Sequence, residues 1–148
     1  MNVIDSIFGW FKKAVPEPKV KNMNTQLGVH IEEVAEMLDE IYSREEDVNE
    51  LITEACLIME RLGEVLKTTN NENLIVITNR ERFLDALCDQ IVTATGVGYM
   101  YGMDLPNALD EVNKSNYSKF VNGEPIFNEN LKIMKGPDYF IADVKPFI

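Results

Sequence analysis

Apolar residues recur every three or four positions through long segments of this chain, and that spacing commits those segments to helices. From Asn24 to Tyr42 the series is Leu27, Ile31, Val34, Ala35, Leu38 and Ile41, with Asn24 or Thr25 available to cap its start. From Arg44 to Lys67 it is Val48, Leu51, Ile52, Ala55, Ile58, Met59, Leu62 and Leu66. A third helix is expected from Arg80 to Gly102, capped by Asn79. A fourth is expected from Asp104 to Phe120, with Pro106 in its first turn, where a missing N–H costs nothing. Residues 1–13 read as a short helix. Val15-Pro16-Glu17-Pro18-Lys19 reads as an extended linker, because proline lacks an N–H and pushes the preceding residue out of the helical region. Past Val121 the helical period fails. Val121–Phe127 and Leu131–Met134 flank Asn128-Glu129-Asn130, the signal of a short hairpin or turn. The expected fold is all-α: a four- to five-helix bundle with a short irregular or hairpin carboxyl tail. One domain is expected over residues 1–148, with 1–20 as amino-terminal helix and linker and 121–148 as tail.

Charge narrows the classes of partner. The 148 residues hold 25 acidic and 14 basic side chains, a net charge of −11. Such a surface argues against binding a nucleic-acid polymer, which needs positive charge. It suits a protein that gathers carboxylates around a hard cation. The longest uncharged stretch, Ile91–Met103, is too short and too polar to cross a bilayer. The apolar patch Val3, Ile4, Ile7, Phe8, Trp10 and Phe11 precedes Lys12 and Lys13, whereas a secretory signal carries its positive charge first. It therefore reads as a helix that docks on the body or on a neighbouring subunit, not on a membrane. Cys56 and Cys88 fall outside any CxxC pattern and read as reduced, buried thiols of a cytoplasmic protein. His30 is the only histidine, which excludes a histidine-based triad and a histidine-rich zinc site. Neither GxxxxGK[ST] nor GxGxxG occurs, and Gly96-Val97-Gly98 falls mid-helix.

What remains is carboxylate chemistry. In His30-Ile31-Glu32-Glu33-Val34-Ala35-Glu36, Glu33 and Glu36, or Glu32 and Glu36, share a helix face. Their mutual repulsion is relieved when a divalent cation sits between them. The competing reading is a solvated acidic face, since these glutamates lie opposite the Leu27/Ile31/Leu38 stripe. Asp85 and Asp89 stand one turn apart on the third helix, and their face continues through Val92, Thr93, Gly96 and Met100. No charge follows Asp89 until Asp104. That stretch is expected to be buried all round, with Asp89 at its mouth in need of a partner. A metal shared with the glutamates would provide one, and oxygen-only ligands select Mg²⁺ or Mn²⁺. Gly96 and Gly98 would let helices approach closely behind it.

The run Glu32-Glu33-Val34-Ala35-Glu36-Met37-Leu38-Asp39-Glu40-Ile41 resembles the EExxE helix of the MazG-like nucleoside triphosphate pyrophosphohydrolases. Leu84-Asp85-Ala86-Leu87-Cys88-Asp89-Gln90-Ile91 resembles their second metal-binding helix. Asp110–Phe120 is similar to the EVxxSNxSK segment of the phage and bacterial branch, and Lys135-Gly136-Pro137-Asp138-Tyr139-Phe140 to its KGPxY ending. Together the motifs span most of the chain in order. One departure is that much of the family carries ExxD on the second helix, where this chain has Ala86 in the first position and Asp85 beside it.

The resemblance implies an enzyme that cleaves a (d)NTP with water to (d)NMP and pyrophosphate. It implies Mg²⁺, for which Mn²⁺ can substitute, held by Glu33, Glu36 and Asp89 with Asp85 and Glu32 in support. Glu32 or Glu33 would deprotonate the attacking water. Asn116 and Lys119, three residues apart on one helical face, would reach phosphate oxygens; Lys135 is a further phosphate candidate, and Tyr139 a candidate to stack on the base. Within the branch, MazZ-like members act on purine deoxynucleotides such as dGTP or dATP, and that substrate class is the expectation. Alternatives are a related all-α enzyme, dUTPase-like or phosphoribosyl-ATP pyrophosphohydrolase-like, and a non-catalytic helical interaction protein. The uncharged Ile91–Met103 face and the Val3–Phe11 patch are too apolar to stay bare, so a homodimer or homotetramer is expected.

Overall fold

A computed structural model describes residues 2–129 and 131–148; Met1, and Asn130 of the expected tail turn, lie outside the described residues. The chain is all-α and of helical-bundle type. Its helices are α1 (Val3–Ala14), α2 (Val20–Asp39), α3 (Glu46–Thr68), α4 (Arg80–Met100) and α5 (Leu105–Tyr117), and a 3₁₀ turn follows at Lys145–Phe147. The expected tail hairpin is reduced to isolated antiparallel bridges, Val121 to Glu124 and Phe127 to Ile133. Among the described residues no helix is long and apolar enough to cross a membrane.

Local chemistry sets the helix ends. Asn79 caps α4 as expected, its Oδ1 accepting the Arg82 N–H at 3.0 Å. Gly102 ends α4 with φ +77°, which lets Gly102 N–H donate to Tyr99 O at 3.1 Å and Met103 N–H to Gly98 O at 2.9 Å. Helix α2 begins earlier than the cap residues Asn24 and Thr25 imply, because Asn22 Oδ1 accepts the Lys19 N–H at 2.9 Å and closes a turn there. Asn24 and Thr25 are instead buried inside the helix.

Two compact units divide the chain: Met1–Pro16, Val76–Phe127 and Ile133–Ile148 form one, Glu17–Ile75 and Asn128–Lys132 the other. In the first, α1 packs on α5. Trp10, Ala14 and Phe120 make its buried core, flanked by Val15 and Ile133. The Trp10 and Phe120 rings stack at 5.5 Å, and Trp10 Nε1–H donates to Asn116 O at 2.9 Å, so the indole buries its ring without stranding its donor. The Val3–Phe11 patch is thus partly accounted for within the chain, although Phe8 stays exposed.

In the second unit α2 and α3 form a hairpin around buried Gly28, Ala35, Cys56, Gly63 and Leu66. The helices touch backbone to backbone. A Cβ on Gly28 would lie 2.6 Å from Gly63 O, and one on Gly63 would lie 3.0 Å from Gly28 O and 2.7 Å from Glu32 Cγ. Cys56 is buried, its thiol directed at Ala35 O at 3.6 Å, whereas Cys88 is exposed, against the expectation of two buried thiols; both are free.

Helix α4 departs most from its sequence reading. All-round burial was expected, yet Gly98 is its only buried residue; Val92, Tyr99 and Met100 are 68%, 76% and 79% exposed. Gly98 does admit a close neighbour, since a Cβ there would meet Leu105 at 3.0 Å, but Gly96 has nothing within 4 Å. The physical reason is that within its own unit α4 has α5 on one side only, and among the described residues of that unit the apolar side chains around the rest of its surface find no cover.

Candidate functional site

The α2–α3 crossing decides which glutamates of the EExxE helix face a neighbour. The buried face of α2 runs through Gly28 and Ala35, turned from the Leu27/Ile31/Leu38 stripe toward Glu32. Glu32 is half-buried and lies over Gly63, the only residue type whose lack of Cβ leaves room for its stem. Glu36, one turn on, borders the same space. The two glutamates line an open groove of about 370 Å³ together with Ala35 and with Glu60 and Glu64 from α3. Glu33 does not line it. At 3.6 residues per turn it points about 100° further round than Glu32, and it is exposed.

Sequence reading missed the α3 wall. Glu60 and Glu64 repeat the i, i+4 spacing of Glu32 and Glu36, and that pairing was the available signal. Lys67 was missed as well. Its Nζ pairs across the helices with Glu32 Oε1 and lies 3.3 Å from Glu64 Oε2. The bond to Glu32 raises the Lys67 pKa above the ordinary lysine value; burial opposes it, and Glu64 adds a lesser increase. A second lysine steadies this corner: Lys21 Nζ donates to Lys67 O at 2.7 Å and Thr69 O at 2.9 Å, closing the carboxyl end of α3.

Asp85 and Asp89 belong to the other unit, and both are exposed on α4. The expectation that Asp89 sits at the mouth of a buried region is therefore corrected. Water covers its carboxylate in this chain, and no desolvation demands a partner. Among the described residues no three His, Cys, Asp or Glu side chains converge closely enough, as they stand, to hold a metal ion.

The remaining candidates cluster where α5 meets the tail. Asn116 and Lys119, expected to share a face, are joined directly, Lys119 Nζ donating to Asn116 Oδ1 at 2.6 Å. Gly136 N–H donates to Lys119 O at 3.2 Å, and a Cβ on Gly136 would fall 2.6 Å from Val121 Cγ2, so glycine is what lets the tail lie there. Lys135 Nζ stands 4.7 Å over the Tyr139 ring, so the face proposed for a base already carries a cation. The serines of the same motif, passed over in the sequence, hold the tail down. Ser115 Oγ donates to Phe140 O at 2.7 Å, and Ser118 Oγ accepts Phe140 N–H at 3.1 Å.

Chemically the groove offers carboxylate oxygens with one ammonium among them. The α5–tail corner offers an amide and ammonium groups suited to an anion. Set against models of known protein families, curated proteins and solved structures, the chain matches none of them.

Proposed function

We propose that this chain is a divalent-cation-dependent nucleoside triphosphate pyrophosphohydrolase, converting a (d)NTP and water to (d)NMP and pyrophosphate, with a purine deoxynucleotide such as dGTP or dATP as substrate. The observation that carries the reading is the groove: the helix resembling the MazG-like EExxE segment directs Glu32 and Glu36 toward a wall that adds Glu60 and Glu64. The donor set fits a hard cation such as Mg²⁺ or Mn²⁺, being carboxylate oxygen throughout.

Glu36 on α2 and Glu60 and Glu64 on α3, with Glu32 in support, are the residues that would hold the cation, while Glu33 is exposed and lies off the groove. When bound, Mg²⁺ supplies neutralisation of triphosphate charge and a more acidic water. Glu32, braced over Gly63, would take the proton from the attacking water and is preferred to Glu33 for the role. Asn116 and Lys119, joined to each other, would offer donors to phosphate oxygens, and Lys135 a further cation. A net charge of −11 argues against a nucleic-acid polymer as partner.

The exposed faces support assembly. Helix α3 carries Leu51, Ile58, Leu62 and Val65 on the side turned from α2, and α4 carries Val92, Tyr99 and Met100, all exposed. Apolar stripes of that length mark interaction surfaces, and a homodimer or homotetramer would cover them. The exposure of Asp89, and the lack among the described residues of three converging metal ligands, stand on the side of a non-catalytic helical interaction protein.

A pyrophosphate-release panel over all NTPs and dNTPs, with Mg²⁺ and with Mn²⁺, tests the activity. Turnover of dGTP or dATP above the others is expected. Silence across the panel would leave the interaction protein, and turnover of dUTP alone would move the chain to the dUTPase-like relatives. Light scattering at micromolar concentration, on the same preparation, is expected to give at least a dimer mass. A fully active monomer would remove any need for a second chain.

A further inference from the structure

We propose that Lys67 is a built-in counter-ion that occupies Glu32 and must be displaced before the α2–α3 groove takes up a divalent cation. This rests on the reading of the groove as a cation site and adds to it a contact that holds the empty site closed.

The geometry leaves the pair little choice. Glycine at positions 28 and 63 brings the two backbones together, and side chains on opposite walls then reach each other. Lys67 Cγ would lie 2.9 Å from a Cβ on Gly28, so the lysine stem packs into the gap that glycine leaves. Glu32 is constrained from the other side, its Cγ lying against Gly63. The Lys67 ammonium thus sits between carboxylates of both walls, Glu32 on α2 and Glu64 on α3. The side chains of Lys67 and Glu32 are only 22% and 26% exposed, so water screens the pair less than it would a surface contact. A divalent cation drawn to the same oxygens would face a like charge a few ångströms away, and the two cannot share Glu32 without strong repulsion. The ammonium keeps Glu32 oriented while the site is empty, and it competes with the ion that would fill it.

The test uses the full chain and Mn²⁺ alone, with no nucleotide, reading free Mn²⁺ by electron paramagnetic resonance. Lys67→Met keeps the stem and removes the charge; it is expected to bind Mn²⁺ about tenfold tighter than the wild type. Lys67→Arg keeps the charge and is expected to stay within about twofold. Glu36→Gln is expected to lose binding. Unchanged or weaker affinity in Lys67→Met, with binding still lost in Glu36→Gln, would overturn the counter-ion and leave the cation site standing. Wild-type affinity in Glu36→Gln would bring down the cation site itself. A second readout needs no variant: lysine acylation followed by peptide mass spectrometry. Mn²⁺ is expected to raise the labelling of Lys67 severalfold, as its amine leaves Glu32. No change in Lys67 labelling at saturating Mn²⁺ would also overturn the proposal.

Discussion

Helices α2 and α4 carry the same sequence device, acidic residues about one turn apart beside small residues, and the structure puts it to different use. On α2, Gly28 meets Gly63 of α3 with no room for a Cβ, and Glu32 is pressed against the neighbouring helix and ion-paired there. On α4, Gly96 meets nothing within 4 Å, and Asp85 and Asp89 stand in water. Spacing places carboxylates on one face, but their chemistry is set by what stands opposite. A neighbouring helix at backbone distance turns a charged face into a groove with a partner lysine. Solvent leaves it a charged face.

Substitutions in the two helices can break or sharpen that contrast. The largest effect is expected at the carboxylates. Under the proposed function Glu36→Gln lowers turnover by about a hundredfold or more while leaving the circular dichroism spectrum unchanged, a loss on the scale of removing a charge-stabilising group from a site, and Asp89→Asn tests whether α4 takes part. Near wild-type turnover in Asp89→Asn alone would confine the chemistry to α2 and α3 and make the contrast absolute. Lys119→Ala comes next. A rise in KM of about tenfold, with Mn²⁺ binding intact, is expected from losing one charge-assisted contact to phosphate. An unchanged KM would return Lys119 to a purely local bond with Asn116.

The glycines give opposite signs of stability change. Gly28→Ala forces the backbones apart, since its Cβ would lie 2.6 Å from Gly63 O; urea unfolding should show a loss of about 1–3 kcal/mol. Gly96→Ala adds a methyl to open space and should gain about 0.5–1 kcal/mol from helix propensity. If Gly96→Ala proved destabilising at concentrations where the protein is oligomeric, α4 would have a close neighbour in the assembly that the single chain lacks.

The smallest effect concerns pH. The bond to Glu32 raises the Lys67 pKa above 10.5, so its stabilisation is fully present below that value and fades as pH climbs through the raised one. Thermal melts should show wild type ahead of Lys67→Met by a constant margin, about 0.5–1 kcal/mol, from neutral pH to about 10. The margin should shrink only above that. A margin that shrank near pH 8 would place the stabilising charge elsewhere.

Sequence alone determined the class and order of the helices here, because helical period, an Asn79 cap, Pro106 in a first turn and Gly102 at a helix end are local signals that no distant contact overrules. It also set Glu32 or Glu33 beside Glu36 without choosing between them, since residues three or four apart share a helix face, whereas Lys119 meets Asn116 across the turn that follows α5. Tertiary structure decided the rest. Which side of α2 is buried followed from Gly28 meeting Gly63, and apolar periodicity alone pointed to the Leu27 stripe instead. That choice turned Glu32 inward, left Glu33 outside, and recruited Glu60, Glu64 and Lys67 from a helix whose acidic residues look like ordinary surface in the sequence. The exposure of α4 was likewise beyond sequence, since an uncharged helix states that it needs cover but not where that cover comes from. Within its own unit, Leu105 against Gly98 is a close contact it finds.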